Sequence, residues 1–287
     1  MTIHWFPGHM AKAHRMIREQ LKLVDVVVEL LDARIPSSSA NPIIDDIVGE
    51  KPRVVALNKT DLAEPFGTDQ WLAYYRTINR PVVVLEALSG KGSKELITRV
   101  ASAASGKMEK LAAKGIRPRA VRAMILGIPN VGKSSLINRL LGAATVRTGD
   151  KPGVTRGQQW IKISKNLELL DTPGVLWPKL EDQEAAFRLA ATGAISDEAV
   201  VLEDVILKLL ALLAMKYPER LTERYCLEQP LPEEMGELLA LVGARRGCMR
   251  SGGVIDVEKA GRIVLNEFRD GKLGRFTLDL PNNNKMT

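Results

Sequence analysis

The feature that most constrains the fold is the segment GIPNVGKS, residues 127–134, which directly follows an apolar run. A GxxxxGKS spacing between a predicted strand and a predicted helix is typical of a phosphate-binding loop, because its glycines let backbone N–H groups approach phosphate oxygens. Lys133 is expected to reach the β- and γ-phosphates of a nucleotide, and the Ser134 hydroxyl to ligate Mg²⁺. A glycine-rich turn without a ligand is the alternative, but it does not account for the strand and helix on either side. The phosphate-binding candidates are Asn130, Val131, Gly132, Lys133, Ser134 and Ser135.

A second phosphate motif follows a predicted hairpin at residues 158–170. The segment DTPG, residues 171–174, has the DxxG pattern, in which Asp171 holds Mg²⁺ through water and the Gly174 N–H contacts the γ-phosphate. Thr155, in the polar loop before the hairpin, is expected to add a second hydroxyl to Mg²⁺ when a γ-phosphate is present. DxxG alone is a weak signal, but its position one hairpin after GxxxxGKS makes it specific.

Base recognition is predicted by NKTD, residues 58–61, an NKxD motif at the end of another apolar run. Asp61 can accept hydrogen bonds from N1–H and the 2-amino group of guanine, whereas adenine lacks both donors and would leave the carboxylate unpaired. Lys59 is expected to lie along the base plane, and Asn58 to connect this loop to the phosphate loop. Taken alone, NKxD could also mark a turn or a helix start.

A third loop, EAL at residues 86–88, follows the next apolar run. Here the backbone N–H of Ala87 or Leu88 is expected to meet the guanine O6. Glu86 departs from the Ser-Ala pair that is usual in such loops. The guanine-binding candidates are Asn58, Lys59, Thr60, Asp61, Glu86, Ala87 and Leu88.

Apolar, β-branched runs alternate with helical patterns up to Pro178, which predicts a mostly parallel, six-stranded α/β sheet. After Pro178 only helical spacing remains, so we expect an α/β domain over residues 1–178 and a small all-α domain over residues 179–287. The predicted strands are residues 26–31, 53–57, 82–85, 121–126, 158–163 and 167–170. The predicted helices are residues 41–48, 69–77, 93–104, 185–191, 203–216, 232–242 and 257–270.

The guanine motifs precede the phosphate motifs, which is the reverse of their order in ordinary GTPases. A circular permutation accounts for this order: the old termini are joined through the basic segment 106–120, and new termini open after the DxxG region. The sheet need not change, because surface loops tolerate such cuts. The expected fold is therefore a circularly permuted P-loop GTPase.

Charge is unevenly distributed along the 287 residues, whose formal net charge is +7. Residues 1–180 hold 27 Lys+Arg against 16 Asp+Glu (+11), and residues 181–287 hold 14 against 18 (−4). The basic part suggests a polyanionic partner such as nucleic acid, although residues 107–122 could also be a solvated linker. There is no signal-peptide pattern, no apolar run of bilayer length and only two distant cysteines. We therefore expect reduced thiols, a cytoplasmic location and no membrane partner.

Several longer segments extend the pattern: WFPGHMAKA at residues 5–13, DARIP at 32–36, GIPNVGKSSLIN at 127–138 and RRGCMRSGGVID at 245–256. Together with the permuted order they resemble ribosome biogenesis GTPase A, the YlqF type, over nearly the whole chain. The resemblance implies a GTPase with GTP or GDP, Mg²⁺ and K⁺, which binds rRNA and proteins of the maturing large (50S) ribosomal subunit and promotes a late assembly step. It also implies stimulation by the subunit, a monomer away from the ribosome, and a C-terminal domain that docks on RNA through its basic patches.

Small GTPases commonly place a glutamine after DxxG to orient the attacking water, but this chain has Val175. Its three histidines, at positions 4, 9 and 14, are five residues apart, a spacing that does not converge on a metal. The resemblance implies that His9 is catalytic in place of the glutamine, and that Asn130 helps to hold K⁺ beside the phosphates. On the residues alone, His9 could be structural and Asn130 could only brace the loop.

Two other functions fit parts of the pattern. An RNA-binding module that holds GTP without using its hydrolysis would suit the missing glutamine. A permuted GTPase that serves tRNA or membrane traffic would share the nucleotide motifs, but the C-terminal motif argues against tRNA and the lack of a lipid anchor or apolar span argues against membranes.

Overall fold

The computed structural model describes residues 15–117, 119–142, 159–171 and 182–281, with the backbone alone at positions 43, 159 and 171. In this part of the chain six strands form one sheet. They are β1 (Val26–Asp32), β2 (Arg53–Asn58), β3 (Val82–Val84), β4 (Val121–Leu126), β5 (Gln159–Ser164) and β6 (Leu167–Asp171).

The strand order is β3-β2-β1-β4-β6-β5, and each neighbouring pair is parallel except β5 with β6. This confirms the predicted six-stranded, mostly parallel sheet with a terminal hairpin. In the register, Asp32 lies opposite Asn58, and Met124 opposite Leu170. Because the carboxyl ends of parallel strands meet at one edge, the loops that carry the predicted motifs begin side by side.

The centre of the sheet is buried along the whole of β1. All seven residues of its sequence, VVVELLD, are buried, as expected for a strand covered on both faces. Glu29, in the middle of this strand, lies 3.1 Å from Arg53 Nη1 on β2. Burial raises the pKa of Glu29 although the Arg53 guanidinium opposes the rise.

The helices of the sheet unit are α1 (described over residues 15–21), α2 (Pro36–Ser39), α3 (Pro42–Val48), α4 (Pro65–Thr77), α5 (Ser93–Ala113) and α6 (Lys133–Leu141). Two of them are longer than predicted. The first turn of α4 includes Pro65, which suits that position because its fixed φ is helical and its missing N–H is not needed. The helix α5 runs past its predicted end at residue 104, and Gly115, with φ of +73°, follows its last turn.

A second compact unit spans residues 182–275 and is built from helices, as predicted. The side chains of Asp182 and Asp256 cap α7 (Gln183–Ala191) and α11 (Val257–Arg269) by accepting backbone N–H bonds. None of the helices in the described ranges is both long and apolar enough to cross a membrane. The elements of this unit are α7 (Gln183–Ala191), a 3-10 turn (Asp197–Ala199), α8 (Leu202–Lys216), α9 (Pro218–Tyr225), α10 (Met235–Arg245) and α11 (Val257–Arg269).

The segment that follows the helical unit belongs to a different compact unit from the one predicted. Contacts group the described residues 276–281 with the sheet unit, although the predicted helical domain ran to residue 287. The predicted boundary at residue 178 lies outside the described residues. The chain therefore returns to the sheet unit after the helical unit, which no local sequence pattern indicated.

Candidate nucleotide-binding site

The predicted phosphate loop connects β4 to α6 at the carboxyl edge of the sheet. Gly132 has φ of +103°, and a Cβ there would lie 2.4 Å from the Asn58 side-chain nitrogen. A Cβ at Gly127 would lie 2.7 Å from the carbonyl oxygen of Leu30. Gly127 is required by the close approach of the Leu30 backbone, and Gly132 by its positive φ and the close Asn58 side chain. The N-terminus of α6 directly follows the loop, where its partial positive charge favours anions.

Lys133, the first residue of α6, is held over this loop. Its buried ammonium donates to the carbonyl oxygens of Gly127 (3.1 Å) and Ile128 (2.8 Å). These carbonyls are dipoles without net charge, so the two bonds position the cation without neutralising it. A cation fixed in a loop of this kind attracts phosphate oxygens.

Asn58 joins the three motif loops. Its side-chain Nδ2 donates to the Val131 carbonyl oxygen (2.7 Å) in the phosphate loop, and its Oδ1 accepts from the Ala87 N–H (2.9 Å). The structure thus shows the contact expected between Asn58 and the phosphate loop, and adds one to the third loop. Because the Ala87 N–H is already used by Asn58, the Leu88 N–H is the better candidate for a contact with O6.

The guanine-recognition loop, residues 58–61, ends in an exposed Asp61. Thr60 turns inward, since its N–H and its hydroxyl both donate to the Leu85 carbonyl oxygen (3.4 and 3.2 Å). In the third loop, Leu88 is 82% exposed, while the Glu86 carboxylate accepts from Lys91 Nζ (2.8 Å) and the Ser89 hydroxyl. Asp61 and Leu88 are therefore accessible, whereas the Glu86 side chain is engaged within its own loop.

Lys59 has a buried acidic partner that the sequence analysis did not assign to the site. Its Nζ lies 3.1 Å from Asp32 Oδ2, and Arg34 donates to both carboxylate oxygens of Asp32 (3.0 and 2.8 Å). Burial alone would raise the pKa of Asp32, but Arg34 and Lys59 outweigh it and hold that pKa well below its usual range. Burial lowers the pKa of Lys59, which Asp32 counteracts. The sequence signal that could have identified Asp32 is its charge at the carboxyl end of an apolar, buried strand.

The predicted Mg²⁺ ligands are only partly within the described residues. Ser134 is half-buried in the first turn of α6, and Asp171 ends β6, one residue beyond the pairing of Leu170 with Met124 on β4. The two positions therefore share the carboxyl edge of neighbouring strands. Mg²⁺ keeps waters and binds hydroxyl, carboxylate and phosphate oxygens, so this donor set suits it. Across the described ranges, no three His, Cys, Asp or Glu side chains cluster as a metal site of their own.

Three predicted site residues lie outside the described residues: His9, Thr155 and Gly174. The same holds for His4, His14 and Val175, which were discussed with them.

Three of the five residues in the predicted basic patches of the helical unit pair with carboxylates of the same unit; the five are Arg245, Arg246, Arg250, Lys272 and Arg275. This reduces the positive charge that they offer to nucleic acid. The pairs are Arg246–Glu267 (2.7 Å), Arg250–Asp256 (2.9 Å) and Lys272–Asp270 (2.8 Å).

The basic segment of the sheet unit, residues 106–120, begins on the C-terminal end of α5. Between residues 105 and 113 no residue of this helix is buried. Lys107, Lys110 and Lys114, the α5 basic face, fall within an arc of about 60°, since each helical residue advances by about 100°. Lys107 lies 2.7 Å from Asp25, directly before β1, so this face lies at the edge of the sheet opposite the phosphate loop.

Comparisons with known proteins agree with this geometry. Residues 122–228 match a family model described as 50S ribosome-binding GTPase. That span holds both phosphate motifs but not NKxD, as the permuted order requires. Ribosome biogenesis GTPase A of Bacillus cereus is 52% identical over 281 residues, which cover 98% of this chain and 95% of the relative. Ribosome biogenesis GTPase A of Thermotoga maritima is 30% identical over 277 residues, 96% of this chain and 94% of the relative.

Two solved structures have a similar fold. The GDP-bound structure of TM YlqF aligns with a TM-score of 0.67 and 25% identity, and covers 94% of this chain and 100% of that chain. The GNP-bound YlqF from T. maritima aligns with a TM-score of 0.67 and 26% identity, and covers 94% and 99%. The sheet order and helical C-terminal region described above are those of a circularly permuted GTPase.

Proposed function

The chain belongs to the ribosome biogenesis GTPase A family and hydrolyses GTP in ribosome biogenesis, and from this premise we propose that it binds the maturing 50S subunit and promotes a late assembly step. The observation that carries the nucleotide part of the proposal is the junction at Asn58. Its two side-chain hydrogen bonds connect the guanine-recognition loop to the phosphate loop and to the third loop, residues 86–88. The alternative of a protein that only holds GTP gains no support from the named relatives, each of which is a GTPase.

In the proposed complex the guanine base lies between the two accessible loops. Asp61 accepts from N1–H and the 2-amino group, the Leu88 N–H donates to O6, and Lys59 lies along the base. The phosphates lie on the backbone of residues 130–135 with Lys133. Ser134, Thr155 and Asp171 would hold Mg²⁺, and Asn130 would help to hold K⁺; both ions would supply positive charge beside the phosphates. Gly174 contacts the γ-phosphate.

Hydrolysis needs a group that orients the attacking water, and the side chain of Val175 has no hydrogen-bonding atom for this. His9 fills that role when the ribosomal subunit is bound. Its imidazole can accept a proton from water near neutral pH while the water oxygen attacks the γ-phosphorus and GDP leaves. The subunit then acts as the activator of the GTPase.

The charge distribution of the chain supports the proposed contact with the ribosomal subunit. The first 180 residues carry +11, and the α5 basic face is exposed at the edge of the sheet away from the nucleotide loops. Electrostatic attraction to rRNA phosphates is therefore assigned mainly to the sheet unit, with proteins of the large subunit as further partners. Away from the ribosome the protein is monomeric in this proposal, and its work on ribosomes places it in the cytoplasm.

The test is GTP turnover in K⁺ buffer, with and without large ribosomal subunits, for the wild type and His9→Ala. We expect subunits to accelerate the wild type, and His9→Ala to lose this acceleration while its affinity for GTP is unchanged. His14→Ala is the matched control and should be accelerated like the wild type. Equal acceleration of His9→Ala would remove His9 from the mechanism, and no acceleration of the wild type would contradict the role of the subunit.

A further inference from the structure

Residues 276–279, near the end of the described chain, are buried within the sheet unit. Phe276 is 1% exposed and Asp279 is 8% exposed, although the helical unit precedes them directly in the chain. A terminal segment is ordinarily loose unless it is held by specific contacts. We call residues 276–279 the C-terminal strap and ask what it holds.

One side of the strap contacts the exit of the guanine-recognition loop. The Phe276 N–H donates to the Leu62 carbonyl oxygen (3.0 Å), and the Thr277 hydroxyl accepts from the Glu64 N–H (3.2 Å) at the start of α4. A Cβ at Gly67, on the first turn of α4, would lie 2.6 Å from the Thr277 hydroxyl oxygen, so the Thr277 side chain packs against the α4 backbone as closely as glycine allows. The strap thus fixes the segment immediately after NKxD.

The same strap continues across α4 and α2. Trp71 on α4 donates from Nε1 to the Asp279 carbonyl oxygen (3.1 Å). The Asp279 carboxylate accepts the N–H groups of Ser37 (3.2 Å) and Ser38 (2.8 Å) in the first turn of α2. A carboxylate that accepts backbone N–H groups in a buried setting makes charge-assisted bonds.

The other side of the strap reaches the partner of the NKxD lysine. The Leu278 N–H donates to the Arg34 carbonyl oxygen (2.7 Å), and the Arg34 guanidinium binds Asp32, which pairs with Lys59. Lys59 has φ of +62°, a left-handed backbone conformation that a non-glycine residue keeps only when its surroundings impose it. The strap therefore contacts both supports of the guanine-recognition loop, one on each side.

From these contacts we propose that the C-terminal strap positions the guanine-recognition loop, with Asp279 and Thr277 as its positioning residues. Neither residue touches the nucleotide in this arrangement. They act through α2, Arg34 and the start of α4 to fix Lys59 and Asp61. The proposal rests on the proposed assignment of Asp61 to guanine. It also means that the segment following the helical unit contacts the supports of the loop that sets base recognition.

The test compares the dissociation constants of GDP and inosine 5′-diphosphate for the full-length wild type, Asp279→Ala and Thr277→Val. Inosine lacks the 2-amino group, so the wild type should bind GDP more tightly. Both variants should bind GDP about fivefold or more weakly, the effect of one missing hydrogen bond, and their preference for GDP over the inosine nucleotide should shrink. A general loss of stability would lower the folded fraction and leave that preference unchanged.

Asp256→Ala is the matched control, because Asp256 also caps a helix with its carboxylate, but in the helical unit. It should keep both the affinity and the preference. Thr277→Val, which keeps the side-chain shape, carries the test if Asp279→Ala does not fold. Folded variants with wild-type affinity and preference would overturn the role of the strap alone. A wild type without preference would overturn the assignment of Asp61 to guanine, and with it the role of the strap.

Discussion

Asn58 is the residue on which the proposed site depends most, because its two side-chain bonds bring three separate loops together. In Asn58→Ala the Val131 carbonyl and the Ala87 N–H both lose a buried partner, which costs about 1–3 kcal/mol each when nothing replaces it. We expect a lower melting temperature and at least tenfold weaker GDP binding, measured with a fluorescent GDP. Asn166→Ala, in the turn of the β5–β6 hairpin, is the control. Unchanged GDP affinity in Asn58→Ala would show that the loops do not need this junction.

Asp32 makes a testable contribution to the pH dependence of stability. Its pKa in the folded protein lies below the usual 3.8, so its charge stabilises the fold above that pH, and this stabilisation is lost as the pH falls through the folded-state pKa. Asp32→Asn leaves Arg34 and Lys59 without their shared carboxylate and should cost about 3 kcal/mol or more at neutral pH. The free energy of unfolding of the two proteins, measured by denaturant titration, should converge below about pH 4.

The control for the loss of one negative charge is Asp69→Asn, an exposed position on α4. A difference between the wild type and Asp32→Asn that stays constant from pH 7 to pH 3 would contradict an ionised Asp32 in the folded protein.

The motif residues could be predicted from the sequence, whereas their supports could not. The roles expected of Asn58 and Lys133 follow from chemistry within short motifs, and the structure places Asn58 in the expected contact. Asp32 lies in the DARIP segment, but no role was predicted for it, and Asp279 belongs to no motif: the strap reaches Ser37 across 242 positions of sequence. Only the folded chain brings these partners together, so local spacing contains no signal for them.

At the scale of elements, strands were easier to predict than helix ends. The strands of a parallel sheet are continuous apolar runs, and all six predicted strands are present. The predicted end of α5 was wrong because the apolar stripe that marks a helix stops at Ala104, the last buried residue of α5. The helix itself continues to Ala113. The short helices α2 and α9 were missed because each has too few turns to show a periodic pattern.

The unpacked end of α5 leads to a prediction about the ribosomal contact. Lys110→Glu combined with Lys114→Glu should weaken binding to large subunits and reduce its salt dependence, by about 0.7–0.9 in the log–log slope for each phosphate that is no longer neutralised. GTP binding and intrinsic turnover should stay unchanged, since the α5 basic face lies at the opposite edge of the sheet from the phosphate loop. The measurements are sedimentation binding at several salt concentrations and turnover without subunits.

Lys94→Glu, on the first turn of the same helix, is the control for charge reversal. Equal binding by the double variant and the wild type at every salt concentration would show that this end of α5 is solvated and does not contact the large subunit.

For the whole molecule, the two compact units and the returning strap predict which parts respond to nucleotide. Ligand binding stabilises the regions that are coupled to the site. GDP should therefore slow hydrogen exchange in the guanine-recognition loop, in the phosphate loop and also at the amides of Ser37, Ser38 and Glu64, which donate to the strap. Amides within α8 and α11 of the helical unit should change much less, because contacts group them with residues 182–275.

Hydrogen exchange followed by mass spectrometry of the full chain, with and without GDP, measures both groups in one sample. The decisive peptide is the one that contains residues 276–279. Its position next to the helical unit in the chain predicts exchange like that of α11, whereas its contacts with the sheet unit predict protection by GDP. If it is protected together with the guanine-recognition loop, the strap belongs functionally to the sheet unit, as its buried bonds to Leu62 and Arg34 require. If it exchanges like α11 regardless of GDP, its contacts are not coupled to the nucleotide, and the helical unit is connected to base recognition by chain continuity alone.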